Sequence, residues 1–196
     1  MRHSSHSVAA VIAFALVAPA VVAAQRLQTR EGFWISFGPG GGSASFDCRD
    51  CNPFPDELKG AGYTFHVRLG GSVSPRLLLG GEIDAWSKSD GGIDSFSGIT
   101  AGAAYYYPSA AGGLFLKGGI GFTVTGSDDG VDELSSTGFG VILGAGYDVR
   151  VAANFSITPV LNLTYGGFGD YKLNSTSVAE NFRQTLIEIG VGFTFH

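Results

Sequence analysis

Two cysteines three positions apart carry the most reactive side chains of the sequence. Cys48 and Cys51 bracket the tetrapeptide Cys-Arg-Asp-Cys. A redox pair of the thioredoxin kind needs a strand–helix–strand context, which the neighbouring residues do not provide. A zinc site needs further ligands, and the chain has no other cysteine. Residues 1–24 have the pattern of a signal for export to an oxidising compartment, where such a pair normally becomes a disulfide. We therefore predict a small loop closed by Cys48 and Cys51, with no metal site and no cofactor.

The remaining ionisable residues are scattered. Only two histidines follow residue 24, His66 and His196, and we predict no catalytic residue among them. The acidic segments 89–94 and 127–133 lack the spacing of a calcium-binding EF-hand loop and are expected to be solvated loop tips. The net charge of −5 and the isolated Lys and Arg residues exclude a nucleic-acid-binding surface.

A two-residue alternation of apolar and small or polar residues predicts the elements that position these groups. After a less regular first strand from Gly32 to about Phe46, in which Pro39 predicts a bulge, the alternation recurs in segments of about ten residues. These segments lie near residues 61–70, 77–85, 98–107, 114–124, 139–149, 155–165 and 187–195. In the fourth strand we assign the odd-numbered residues to the apolar outer face: Ile99, Ala101, Ala103, Tyr105 and Tyr107.

The connections between these strands are predicted to alternate in length. Brief turns fall near residues 71–75, 108–113 and 152–154. Longer polar loops are predicted at residues 47–59, 88–95, 126–136 and 167–184. Short turns at one end and long loops at the other are typical of barrels of the bacterial outer membrane.

The composition of the two strand faces distinguishes a membrane barrel from a soluble one. One face is almost uniformly Leu, Ile, Val, Phe and Tyr, which would be a very large apolar patch in water. The other carries mainly Gly, Ser, Thr and Ala, which suits the narrow interior of eight strands. We therefore predict an all-β fold, an eight-stranded antiparallel up-and-down transmembrane β-barrel, with aromatic girdles near both strand ends that include Tyr105 and Tyr107.

On this assignment six ionisable residues point into the barrel: His66, Arg68, Glu82, Asp84, Lys117 and Glu188. Charges in a narrow interior must be paired. We interpret them as a salt-bridged network that closes the lumen. The alternative is a gate whose pairs exchange partners to admit small solutes.

The first 24 residues differ from the rest. They have a charged start, an apolar run from Val8 to Val17 and then the small residues Val22-Ala23-Ala24. This pattern is typical of a cleaved signal peptide. The run is short for a spanning helix. We predict two parts, a signal peptide over residues 1–24 and an outer-membrane barrel domain over residues 25–196.

With this architecture and its terminal strand Ile-Gly-Val-Gly-Phe-Thr-Phe-His, the chain resembles the small outer-membrane β-barrel family. Members commonly end in an alternating aromatic strand that the barrel assembly machinery recognises. Phe193 and Phe195 match that pattern, whereas His196 stands where the usual ending is aromatic. The resemblance implies location in the cell outer membrane.

For function we expect a monomeric, non-enzymatic protein whose barrel anchors four extracellular loops among outer-membrane lipid and lipopolysaccharide. The loops would carry a structural or surface-interaction role. The alternative is a small channel or uptake protein for small or apolar solutes, and an enzyme acting on lipid A is a third hypothesis.

Overall fold

The computed structural model describes residues 30–47, 59–128, 133–173 and 176–196. Within these ranges the regular structure is entirely β. None of the described residues forms a helix with the length and apolar character needed to cross a membrane. The strands are β1 (Phe33–Asp47), β2 (Gly60–Ser74), β3 (Leu77–Asp90), β4 (Ile93–Tyr106), β5 (Leu114–Asp128), β6 (Glu133–Tyr147), β7 (Val149–Ala152), β8 (Phe155–Leu173) and β9 (Thr176–Phe195).

The sheet closes on itself. Apart from β6 and β7, which do not pair with each other, each strand pairs antiparallel with its sequence neighbours, and β1 pairs with β9. The short β7 continues β6 beyond Asp148, and both pair with β8. The nine elements therefore form eight barrel strands, which confirms the predicted up-and-down barrel.

The register fixes the tilt of the strands. Following paired residues once around the barrel from Trp34 leads to Ala44, ten residues further along β1. A stagger of ten residues at about 3.3 Å each, over eight strands about 4.8 Å apart, corresponds to a tilt of about 40°. This tilt lies in the range found for transmembrane barrels.

The outer surface is apolar and the interior mixes polar and aromatic groups. Twenty-seven of the described large hydrophobic side chains are exposed, among them Ile120, Leu143 and Ile189. Such a belt in water would carry a large free-energy penalty, which hydrocarbon removes. The face assignment made from the sequence is confirmed for β2, β3, β5, β6, β8 and β9.

The assignment for β4 was wrong. Its odd-numbered residues face the lumen and are buried: Ile99, Ala101, Ala103, Tyr105 and Tyr107. The outer face of β4 carries Thr100, Gly102 and Tyr106 instead. Both faces of this strand are small or apolar, so alternation did not distinguish them. Tyr105 and Tyr107 consequently belong to the core and not to an aromatic girdle.

The predicted bulge at Pro39 is absent. β1 pairs with β2 in one unbroken register from Phe33 to Ala44. The three glycines after Pro39 leave the alternation intact because they change side-chain size without changing the register. A Cβ at the inward-facing Gly38 would lie 2.0 Å from the carbonyl oxygen of Val191, so glycine is required where β1 meets β9.

Three of the four segments predicted as long loops are largely strands, and the fourth, at residues 47–59, lies almost entirely outside the described residues. β3 and β4 are joined by the two-residue turn Gly91-Gly92, with φ of 60° and 85°, as a tight hairpin turn requires. Strand pairing also extends through much of the segments expected as loops at residues 126–136 and 167–184. The short turns near residues 75 and 153 are as predicted.

Candidate functional site

A buried ionic network crosses the middle of the lumen, and Glu82 is its centre. The Oε2 atom of Glu82 lies 2.6 Å from Lys117 Nζ and 3.3 Å from Arg68 Nε. The Tyr105 hydroxyl donates a hydrogen bond of 2.7 Å to the same oxygen. Three strands, β2, β3 and β5, thus contribute charges that meet at one carboxylate, as expected for ions that must be compensated inside a narrow barrel.

Asp84 extends the network to the opposite side of the barrel. Arg68 and Lys117 lie 3.6 Å and 3.8 Å from its carboxylate oxygens. Asn162 on β8 donates hydrogen bonds to Asp84 Oδ1 at 2.7 Å and to Glu188 Oε2 at 3.3 Å. Asn162 therefore links carboxylates on β3 and β9 that belong to non-adjacent strands.

His66 lies beside this network. It is buried directly opposite Asp84 in the β2–β3 register. Its Nε2 has no hydrogen-bond partner among the described residues, and it occupies the space left by the inward-facing Gly192. The structure thus brings Arg68, Glu82, Asp84 and Lys117 into one set of ion pairs, joined by Glu188 through Asn162, with His66 adjacent.

A second layer fills the lumen toward the β1–β2, β3–β4, β5–β6 and β8–β9 connections, which mark the extracellular side because the short turns of such barrels face the periplasm. Gln184 reaches across the barrel from β9, and its Oε1 accepts hydrogen bonds from Ser97 on β4 and Thr125 on β5. Beside it the rings of Phe46, Trp86 and Phe182 pack at centroid distances of 5.7 Å and 6.1 Å. This layer blocks the lumen with aromatic rings and one amide bridge.

A third layer fills the lumen on the periplasmic side. Its buried side chains are Trp34, Leu78, Ala103, Tyr105, Tyr107, Phe115 and Val160. The rings of Trp34 and Tyr105 pack edge to face at 4.8 Å. A cavity lined by Arg68, Asp148 and members of this layer has a volume of about 10 Å³, which is room for about one water molecule. The described lumen is therefore filled at three levels.

Asp148, which lies between β6 and β7, is the centre of a group of contacts at the periplasmic mouth. Tyr107 and Thr158 donate hydrogen bonds of 2.9 Å and 2.8 Å to its two carboxylate oxygens. Arg30, which precedes β1, and His196, which follows β9, lie 3.9 Å and 3.8 Å from Asp148. Burial, reinforced by the adjacent Asp148, raises the pKa of the Tyr107 phenol well above 10, so this phenol remains a hydrogen-bond donor.

The position of His196 predicts acid sensitivity. Burial, helped by the charges of Arg30 and Arg150 and opposed by Asp148, lowers the pKa of His196 below 6.5. The unfolded chain therefore binds this proton at a higher pH than the barrel does, and stability is lost as pH falls below about 6.5. We expect the urea midpoint of the wild type to fall more between pH 7.5 and pH 5 than that of His196→Asn. Equal falls in the two proteins would contradict this assignment.

Other predicted site residues fall elsewhere. Phe193 and Phe195 lie on the outer face near the periplasmic end, where their rings pack against Phe37 and Phe155 at 5.0 to 6.3 Å. The disulfide expected between Cys48 and Cys51 and the signal peptide at residues 1–24 lie outside the described residues. Within the described part of the chain, no group of three or more His, Cys, Asp and Glu side chains is arranged to hold a metal ion.

Sequence reasoning missed several residues that complete these layers: Arg30, Tyr105, Asp148, Asn162 and Gln184. Asn162 and Asp148 stood at inward positions of correctly assigned strands, so their phase could have indicated them. Tyr105 was missed because the faces of β4 were inverted. Nothing in the local pattern marked Arg30, since it precedes the first strand.

The closed barrel, its lipid-compatible belt and its filled polar interior define an integral outer-membrane protein. Residues 8–195 match the model of the outer membrane protein beta-barrel domain family. The chain belongs to this family and is located in the bacterial outer membrane. No curated protein sequence matches it significantly.

Solved structures show the same fold at low sequence identity. Neisserial surface protein A is 17% identical, with a TM-score of 0.54 over 84% of this chain and 96% of that one. Ail, the attachment invasion locus protein of Yersinia pestis, is 15% identical, with a TM-score of 0.48 over 84% and 99%. OprG from Pseudomonas aeruginosa is 13% identical, with a TM-score of 0.47 over 87% and 99%. At these identities the likeness concerns the fold.

Proposed function

We propose that this protein is a non-conducting, non-enzymatic membrane anchor that presents strand extensions at the cell surface for interaction with other molecules. The observation that carries the proposal is the filled lumen. Ionic, aromatic and amide layers occupy it at three heights, and each layer joins side chains from non-adjacent strands. A solute would have to break several buried pairs at once, and breaking even one is costly.

The β8–β9 hairpin supports a role at the surface. The last exposed large hydrophobic side chains described on this hairpin are Tyr165 on β8 and Ile187 on β9, and β8 continues to Leu173. Eight residues at about 3.3 Å each, tilted by about 40°, extend about 20 Å beyond Tyr165. Among the described residues, β9 has no partner in β1 before Arg183. An extended hairpin with backbone groups at its edge is suited to contact other molecules.

The fold by itself permits either a surface or a transport role. Neisserial surface protein A, with a TM-score of 0.54, is a protein of similar fold. The lumen contents of this chain favour the first role. Conductance through the barrel would therefore support the channel hypothesis and contradict the proposal.

Planar-bilayer recording tests the proposal directly. We expect the refolded wild-type barrel to give no steady, reproducible openings at neutral pH. Regular openings of uniform conductance would overturn it. A protein that has merely failed to insert would also be silent, so insertion is checked by protease protection of the reconstituted barrel.

The surface role is tested by shortening the hairpin. Residues 170–181 are replaced by Asn-Gly, a two-residue turn that keeps Gly169 paired with Phe182 as in the native hairpin. We expect cells that carry this variant to lose most of the attachment to surfaces that the wild-type protein confers, with an unchanged barrel. The matched control replaces residues 129–132 at the tip of the β5–β6 hairpin. Unchanged attachment by the shortened protein would contradict a role for the hairpin.

The partners we propose follow from location and from the terminal strand. Outer-membrane lipid and lipopolysaccharide would surround a monomeric barrel, and the assembly machinery would recognise Phe193 and Phe195. Both rings are available for recognition because they lie on the outer face of the last strand.

A further inference from the structure

One arginine lies across the periplasmic mouth of the barrel. Arg30 precedes β1, yet its Nη1 and Nη2 donate hydrogen bonds to the carbonyl oxygens of Ala110 (3.1 Å) and Gly112 (2.5 Å). These carbonyls belong to the β4–β5 turn, which stands apart from β1 by two intervening strands on one side. The Arg30 side chain therefore extends from the start of the barrel across its opening.

The guanidinium group of this side chain makes further contacts. Its guanidinium carbon lies 3.5 Å from the centroid of the Tyr107 ring, a cation–π geometry. Its Nη2 is 3.9 Å from Asp148, and the residue as a whole is only 1% exposed. A charged residue that precedes the first strand is normally solvated, so this degree of burial indicates that specific contacts hold Arg30 in place.

We propose that Arg30 is a periplasmic stopper: it closes the lower mouth of the lumen over the aromatic layer, independently of the ionic network at mid-height. The two closures share no residue. The stopper consists of Arg30, Tyr107, Asp148 and the β4–β5 turn, whereas the network consists of side chains from β2, β3, β5, β8 and β9. Loss of one closure then leaves the lumen shut by the other.

The two tryptophans of the chain provide separate reporters for the two ends of the lumen. Trp34 belongs to the periplasmic aromatic layer and Trp86 to the extracellular one, and both are buried. Trp86→Phe leaves only Trp34 as an emitter, and Trp34→Phe leaves only Trp86. Acrylamide quenching of each single-tryptophan barrel in detergent then reports how far water-soluble molecules reach from each side.

In these backgrounds we expect Arg30→Ala to raise the quenching constant of Trp34 about threefold, because the side chain that covers the layer is gone. The quenching constant of Trp86 should not change. Arg30→Lys, which keeps the charge but lacks the planar fork, should be intermediate. Arg150→Ala is the matched control: it removes a rim arginine that donates to Ala152 of its own turn, and it should leave both constants unchanged.

Two outcomes overturn the proposal. If Trp34 is quenched no more in Arg30→Ala than in the parent, another group closes the mouth. If the quenching of both tryptophans rises, Arg30 supports the stability of the whole barrel and is not a local stopper.

Discussion

The Lys117→Met variant is expected to lose about 3–5 kcal/mol of unfolding free energy, because methionine fills the space of lysine but leaves its carboxylate partners with one cation fewer. Lys117 Nζ is 2.6 Å from Glu82 and 3.8 Å from Asp84, and its side chain is 1% exposed. Urea titration of the barrel in detergent, followed by the heat-modifiable shift on gels, measures the change.

Two companion variants show whether charge is responsible. Adding Glu82→Gln to Lys117→Met removes one carboxylate together with one cation, so most of the loss should be recovered. Lys88→Met removes a lysine at the extracellular rim whose ion pair with Asp90 is partly solvated, and it should cost less than about 1 kcal/mol. A Lys117→Met barrel as stable as the wild type would show that the network does not hold the strands together.

A methyl group at Gly121 should also be strongly destabilising. A Cβ there would lie 2.0 Å from the carbonyl oxygen of Thr100 and 2.6 Å from the Cα of Ala101, which are backbone atoms that cannot rotate away. We expect Gly121→Ala to cost about 3 kcal/mol, at the upper end of overpacking effects. The same urea titration measures it.

Gly102 on the neighbouring strand provides the matched control. It faces lipid, and a Cβ added there meets no atom within 4 Å. Gly102→Ala should therefore be neutral or slightly stabilising, since it reduces only the freedom of the unfolded chain. Similar losses in the two alanine variants would mean that strand flexibility, and not space, requires glycine at these positions.

How well the sequence predicted the inward or outward orientation of a side chain differs among residues. In β2 the large outward Phe65 alternates with the polar inward His66 and Arg68, and this contrast correctly indicated the face. In β4 Ile99 alternates with Thr100 and Ala101 with Gly102, and neither side is clearly polar. In this strand, contacts with other strands determine which face is inward. Tyr105 faces inward, where its hydroxyl donates a hydrogen bond to Glu82, and a local sequence pattern cannot predict this contact.

In the candidate site, too, some positions could be predicted from the sequence and others could not. Correct phases in β2, β3, β5 and β9 placed Arg68, Glu82, Lys117 and Glu188 in the interior. Their partners could not be derived, because the stagger of the barrel sets which heights coincide across the lumen. The pair Gly91-Gly92 is typical of a tight hairpin turn, but the polar residues around it led us to predict a longer loop. Arg30 depends on a contact with a turn eighty residues later.

The pairing of β1 with β9 also determines when the protein can fold. Ile35 pairs with Phe195, so the ladder that completes the cylinder requires residues from the two ends of the barrel domain. Without the final strand, β1 has an open edge that hydrocarbon cannot satisfy. The cylinder therefore cannot close in a membrane before β9 is available, and a chain that lacks β9 would leave the edges of both β1 and β8 unpaired.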